Sequence, residues 1–222
     1  MLLLSTIIEW TRKYINEYVT GSDDFREETD ALLEAHVDAA ARMTVQMVPN
    51  HYVTLTEKTY GATEFVGHRR PDGRQYMVLH LPDDFLKLEC LSVTSNDSDD
   101  DLKMPVRTFL PQSHPSYAQQ YSSIAGIGAG QYMPVVYRMG TKLEIHSFPE
   151  ESRLELAPKL SYVAVPQLTG SNDARQYATL SESLRDAVAL RAASLYLSLT
   201  GDSNAQSAND AADKALAAVH SA

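Results

Sequence analysis

The sequence predicts an α+β fold in which N- and C-terminal helices form a bundle beside a small central β domain with long irregular loops. Three observations carry this. Residues 1–50 show helical periodicity, residues 51–169 switch to β-branched alternation punctuated by turn residues, and helical periodicity returns near Asp173. The expected division is therefore a helical part, 1–50 plus 170–222, and a β-rich insertion, 51–169, holding a long loop over 95–133.

The elements follow in order. Ile7, Ile8, Trp10, Tyr14, Ile15 and Tyr18 fall near a 3.6-residue period, and Thr20-Gly21-Ser22 supplies a stop, with Gly21 suited to a left-handed cap. A second helix is expected from about Asp23 to Met47. Asp23, Asp24, Glu27 and Glu28 crowd its first turns, where the helix dipole favours negative charge, and Pro49 ends it. Its stripe reads Phe25, Leu32, Leu33, His36, Val37, Ala40, Met43 and Met47. At 1.5 Å per residue it would span roughly 37 Å.

The middle reads as strands. His51–Thr56 alternates, Gln75–His80 follows the turn signal Pro71-Asp72-Gly73, and Leu86–Val93 forms a third. Val135–Arg138 and Leu143–Phe148 flank Gly140-Thr141 as a hairpin, and Leu160–Val165 is a last strand stopped by Pro166. Residues 95–133 are read as irregular, with one short helix near Pro115–Tyr121. A connection that long is functional or orders on a partner.

From Asp173 one stripe runs Leu180, Leu184, Val188, Arg191, Leu195 and Leu199, and a second runs Ala187, Leu190, Ser194 and Leu197. A helix apolar on two faces needs cover on two sides. Gly201 caps it. The final helix starts at Ser203 or Asn204 and carries small residues at 205, 208, 212 and 215.

Composition narrows the classes. The 222 residues carry 19 Lys+Arg against 29 Asp+Glu, a net charge of −10 spread as −5, −3 and −2 over 1–50, 51–150 and 151–222. No basic stripe offers an electrostatic footprint for nucleic acid, and Arg69-Arg70 is only a pair. Forty-four per cent apolar content can supply a core, and no apolar run approaches a membrane span. The opening Met-Leu-Leu-Leu lacks a basic region, so no secretory signal is expected. A lone Cys90 excludes an intramolecular disulfide and any multi-cysteine metal site. Set among Leu88, Glu89 and Leu91, it reads as an inert buried thiol.

Motifs for catalysis are not found. His36 lies on an apolar stripe and reads as a hydrogen-bonded core histidine. His51, His68, His80, His114, His146 and His220 show no ligand spacing. Gly126-Ile-Gly-Ala-Gly130 is followed by Pro134, which blocks the helix a dinucleotide fingerprint needs. Asp97, Asp99 and Asp101 imitate the start of a calcium loop, but the required glycine and twelfth-position acid fall on Leu102 and Thr108. We expect no enzyme, no cofactor and no metal.

Two stretches, taken together, are informative. Leu81-Pro-Asp-Asp-Phe-Leu-Lys-Leu88 resembles the Leu-Pro-x-Asp-Phe-Leu-basic-Leu element of collar ring proteins of crAss-like, short-tailed bacteriophages. Pro105-Val106, His114–Tyr121, Met133–Val136 and Leu143–Phe148 then follow the family's order of a Pro-Val step, a Ser-Pro-x-Tyr loop, a Pro-Val strand and a closing strand. The helices–β–helices plan is similar to head-to-tail adaptors more broadly, and Leu190–Leu199 looks like their penultimate helix. The chain departs from the family in its polar run at 95–101, where the family often has an aromatic-containing turn.

The resemblance implies a structural virion protein, made in the bacterial host's cytoplasm and located in the neck or tail. It would form a homomeric ring with no membrane contact, partnered by the portal and other neck or tail proteins. Phe85, Leu86, Pro115, Tyr117, Tyr121, Arg191 and Tyr196 are its candidate assembly residues. Twelve copies, as the resemblance implies, would carry about −120 formal charges before counterion screening, letting genomic DNA pass without adhering. Asp97, Asp99, Asp100 and Asp101 are the candidate lumen-facing acids. The alternative is a bacterial enzyme or small-ligand-binding domain whose site is built from scattered histidines and acids.

Overall fold

The computed structural model describes residues 2–19, 30–61, 65–69, 75–95, 104–105, 108–111, 115, 135–148, 156–171 and 174–220. The chain is α+β and divides into a helical unit, Met1–Leu55 with Val163–Ala222, and a strand unit, Thr56–Tyr162. The division falls at 55/56 and 162/163, against the expected 50/51 and 169/170.

The helical unit holds α1 (Leu4–Tyr18), α2 (Asp30–Met47), α3 (Arg185–Thr200) and α4 (Ala205–His220). Helix α3 packs against each of the other three. This explains its two apolar faces: Ala187 through Ser194 are all buried, so the cover that its sequence demands comes from α1, α2 and α4. Gly201, at φ 75°, ends the helix, and Asp202 N–H returns to the Leu197 carbonyl at 2.9 Å, satisfying an orphan acceptor. Only glycine holds that left-handed position cheaply. Asn204 Nδ2 donates to the Tyr18 carbonyl at 2.8 Å, tying the start of α4 to the end of α1.

Several expectations are corrected. Helix α3 begins at Arg185 and not near Asp173, because Gln176–Tyr177 is strand β12, sheet-paired with β1 (Leu2–Leu3) and β11 (Leu168–Thr169). Tyr177 pairs with both Leu2 and Leu168, and a 3-10 turn at Glu182–Leu184 leads into the helix. None of β1, β11 and β12 was legible as strand, since each is only two residues long. The strand expected over His51–Thr56 is absent before Thr56, which opens β2: Asn50–Tyr52 is a 3-10 turn, and Val53 makes a single bridge to Leu180. Leu199, at the end of the expected stripe, lies 66% exposed.

Helix α2 corrects the sequence stripe most. Its buried face is Leu33, Val37, Ala40, Ala41, Thr44, Val45 and Val48, a clean 3.6-residue progression. Met43 and Met47, expected in the core, are 40% and 50% exposed. The described helix spans about 27 Å; residues 23–29 and the cap expected at Gly21 lie outside the described residues.

The strand unit holds two sheets among the described residues. One runs β2 (Thr56–Thr59), β10 (Leu156–Ala164, whose last two residues belong to the helical unit), β5 (Phe85–Ser95) and β6 (Met104–Pro105). The other runs β3 (Phe65–Arg69), β4 (Gln75–His80), β9 (Lys142–Phe148), β8 (Val135–Met139) and β7 (Thr108–Pro111). The hairpin β8–β9 turns at Gly140, φ 59°, with Met139 opposite Lys142. Strands β6 and β7 fall inside the stretch 95–133 that was read as irregular, and β7 runs parallel to β8. Such short pairings carry little periodicity of their own, so they had no signature to read. Met77, Leu79, Val136, Leu143 and Ile145 share one face of the β4–β9–β8 sheet and are buried, as alternation along each strand requires.

Candidate functional site

The stretch that carries the family resemblance is built as a braced turn in the strand unit. Leu81 N–H donates to the Thr141 carbonyl at 2.9 Å, and Phe85 N–H to the Pro82 carbonyl at 3.0 Å, closing the Leu81–Phe85 turn against the β8–β9 hairpin. Asp83 and Asp84 are the central residues of this turn. Asp84 accepts a hydrogen bond from the Tyr162 hydroxyl at 2.9 Å. The Phe85 ring stacks on Tyr162, with centroids 5.7 Å apart, and the Arg138 guanidinium sits 5.4 Å from the Phe85 ring centre. Tyr60 donates its hydroxyl to the His80 carbonyl at 2.7 Å, anchoring the strand that leads into the turn.

Burial, then the hydrogen bond to Asp84 and its negative charge, push the Tyr162 hydroxyl up to about 12. The phenol therefore stays protonated and donating at neutral pH. What these contacts achieve is rigidity: β10, β8 and β5 converge to hold Phe85 and its following strand in one orientation.

The other expected assembly residues scatter. Leu86 is half-buried on β5, next to the braced turn. Pro115 is exposed, while Tyr117, Tyr121, Asp97, Asp99, Asp100, Asp101 and the Gly126–Gly130 run lie outside the described residues. Arg191 and Tyr196 sit on α3 in the helical unit. Arg191 is 2% exposed, ion-paired through Nη2 to Asp213 on α4, with Nη1 directed at the Met47 sulfur on α2. It clamps three helices of its own unit. Tyr196 is half-buried and meets the His36 ring edge-on at 6.2 Å. Of the expected residues, only Phe85 and Leu86 come together.

Cys90 is exposed on β5, contrary to the buried thiol expected. Strand alternation accounts for this: Leu91 takes the inward position, leaving its neighbour outward.

One constellation escaped the sequence reading. Glu144 and His146 lie two apart on β9 and therefore share a face, opposite Leu143 and Ile145. His146 Nε2 is 3.2 Å from Glu144 Oε2, and the two residues are 5% and 8% exposed. Tyr76, paired with His146 across β4, stacks on its ring at 5.2 Å, and Tyr137 meets it edge-on at 5.7 Å. The signal was Glu-Ile-His inside an otherwise apolar strand: a period of two puts both polar residues on the side that Leu143 and Ile145 leave. The pair is buried and packed beneath two tyrosine rings.

Among the described residues no group of three or more His, Cys, Asp or Glu side chains is placed to hold a metal ion, and no helix is long and apolar enough to cross a membrane. No protein-family model matches the chain, and a search of the curated proteins finds no match.

Proposed function

We propose that this chain is a non-enzymatic structural component of a tailed-phage virion. It forms a homomeric ring in the neck or collar, between the portal and the tail, and lines or surrounds the conduit through which the genome passes. The observation that carries this reading is the ordered resemblance over residues 81–148. Its best-matched segment, Leu81–Leu88, opens with the turn braced by Tyr162, Arg138 and the Thr141 carbonyl. A ring subunit needs such a fixed contact element, since a contact repeated around a closed ring multiplies any angular error.

The net charge of −10 supports the same reading, because a DNA conduit must not hold phosphates. The two-faced helix α3 does not: α1, α2 and α4 already cover it.

The test is electron microscopy of the chain co-expressed with a portal protein from the same genome. Particles with a rotationally symmetric ring of this chain docked on the portal are the expected result. Portal particles that remain bare at saturating chain concentration end the proposal. A neighbouring pair of portal and capsid genes is the corresponding genomic expectation.

A further inference from the structure

Arg191 carries a cation into the packing of α2, α3 and α4 with few acceptors around it. Its side chain is 3% exposed. A guanidinium presents five N–H donors. Here Nη2 donates to Asp213, Nη1 meets only the Met47 sulfur, and Nε has no partner. One carboxylate oxygen and one thioether thus serve the whole group. A thioether accepts hydrogen bonds weakly, and a buried donor without a good acceptor is costly, most of all on a charged group. The shortfall lies beneath a side chain that solvent reaches. Met47, the last residue of α2, is 50% exposed, whereas Met77 in the strand unit is 5% exposed.

Oxidation of that sulfur supplies what the cation lacks. A sulfur lone pair of Met47 attacks the terminal oxygen of a hydroperoxide; the S–O bond forms and the O–O bond breaks. The peroxide proton passes to the departing oxygen, which leaves as water or an alcohol. Sulfur loses two electrons and the peroxide gains them, so no further reactant is needed. The product, methionine sulfoxide, is polar and is returned to the thioether by dedicated reductases. Its oxygen is a strong acceptor on a long, unbranched side chain, and rotation about Cγ–Sδ brings it to Nη1. In an ordinary core a sulfoxide disrupts packing. Against a guanidinium short of acceptors it completes a charge-assisted hydrogen bond.

We propose that Met47 is a modification site, a methionine whose oxidation by a hydroperoxide tightens the packing of α2 on α3 and α4 instead of loosening it. Arg191 is the group that gives the sulfoxide oxygen its place. This goes beyond the ring reading and does not depend on it. Met43, one turn earlier on the same helix, is 40% exposed, but it is Met47 at which Nη1 is directed. Exposure makes both sulfurs reactive; the cation makes only one of the two sulfoxides stabilising.

The full-length chain in a Cys90→Ser background, which removes the exposed thiol, tests it. Partial oxidation with hydrogen peroxide is followed by a protease pulse in urea near the unfolding midpoint. Peptide mass spectrometry of the surviving chains then reads each methionine separately within one mixture. Met47 sulfoxide should be enriched several-fold among the survivors, and Met43 sulfoxide should not. Met47→Gln sets an amide oxygen near the place of the sulfoxide oxygen at similar helix propensity. It should raise the folding equilibrium constant about tenfold, followed by Trp10 fluorescence, while Met43→Gln leaves it unchanged. In an Arg191→Met chain the gain from Met47→Gln should vanish; where that chain does not fold, the contrast between Met47 and Met43 decides. Depletion of Met47 sulfoxide among the survivors overturns the proposal, as does a Met47 that stays reduced while Met43 oxidises. A gain from Met47→Gln that is absent, or matched by Met43→Gln, overturns it as well. None of these outcomes bears on whether a ring forms on the portal.

Discussion

The helical unit and the strand unit reach cohesion by different chemistry. In the first, one helix is wrapped by the others: α3 buries Ala187 through Ser194 without a break, and the single buried charge, among the described residues, is Arg191 tied to Asp213. In the second, specific polar and aromatic contacts do much of the fastening, from the Tyr162–Asp84–Phe85–Arg138 brace to the Glu144–His146 pair beneath Tyr76 and Tyr137. Apolar burial tolerates the loss of one contact if volume is kept, whereas a hydrogen-bonded pair fails when either partner goes. The lesson is about where substitutions should hurt, and how.

The largest effect is expected in the helical unit. Leu184, fully buried at the entrance to α3, cannot accept a carboxylate, so Leu184→Asp should cost about 4 kcal/mol or more and abolish cooperative melting. Leu195 is half-buried, and Leu195→Asp should cost clearly less. Trp10, the sole tryptophan, has the Lys13 ammonium 4.4 Å and the Arg185 guanidinium 4.5 Å from its ring centre, so its fluorescence reports this unit. Equal midpoints for the two variants in denaturant titration would break the picture of a wrapped α3.

Next comes the strand unit. His146→Leu removes one partner from Glu144 and should cost about 2 kcal/mol, while Glu144→Leu combined with His146→Leu should cost less than the single change. A double-mutant cycle in denaturant melts reads the coupling directly. Additive losses would mean that the two side chains only fill space, and the contrast between the units would vanish.

How much of this was legible follows the same divide. Helical periodicity exposed α1, α3 and α4 because long apolar stripes have few alternative explanations; it also contained the true α2 face. Leu33, Val37, Ala40, Ala41, Thr44, Val45 and Val48 are spaced as a helix face demands, but two large methionines drew the stripe away from Ala41, Thr44, Val45 and Val48. Size was read as burial. Strand elements of two residues, such as Leu2–Leu3 and Gln176–Tyr177, have no period to detect, since their identity comes from partners 175 and 9 residues away in sequence. Leu81-Pro-Asp-Asp-Phe85 could be read as a motif, but its brace could not, because Tyr162 and Arg138 reach it only through the fold. His146 and Glu144 were within reach of strand alternation, but a pair two residues apart matches no metal-ligand spacing.

The smallest effect is the most specific to the brace. Tyr162→Phe keeps the ring that stacks on Phe85 and deletes only the hydroxyl donated to Asp84, so it should cost about 1 kcal/mol at neutral pH. Its alkaline signature is sharper. The Tyr162 hydroxyl is raised from 10.0 to about 12, so between those values the folded chain holds a proton that the unfolded chain has released. Stability from this group is complete below pH 10 and is lost as pH rises through 12. Wild-type stability should therefore fall across that window, and Tyr162→Phe should fall less steeply while keeping a residual slope, because burial and Asp38 raise Tyr177 as well. Denaturant melts at pH 9, 10 and 11 compare the two slopes. Parallel slopes would show that the phenol of Tyr162 titrates freely, and the turn at Leu81–Phe85 would then be held by stacking and backbone hydrogen bonds alone.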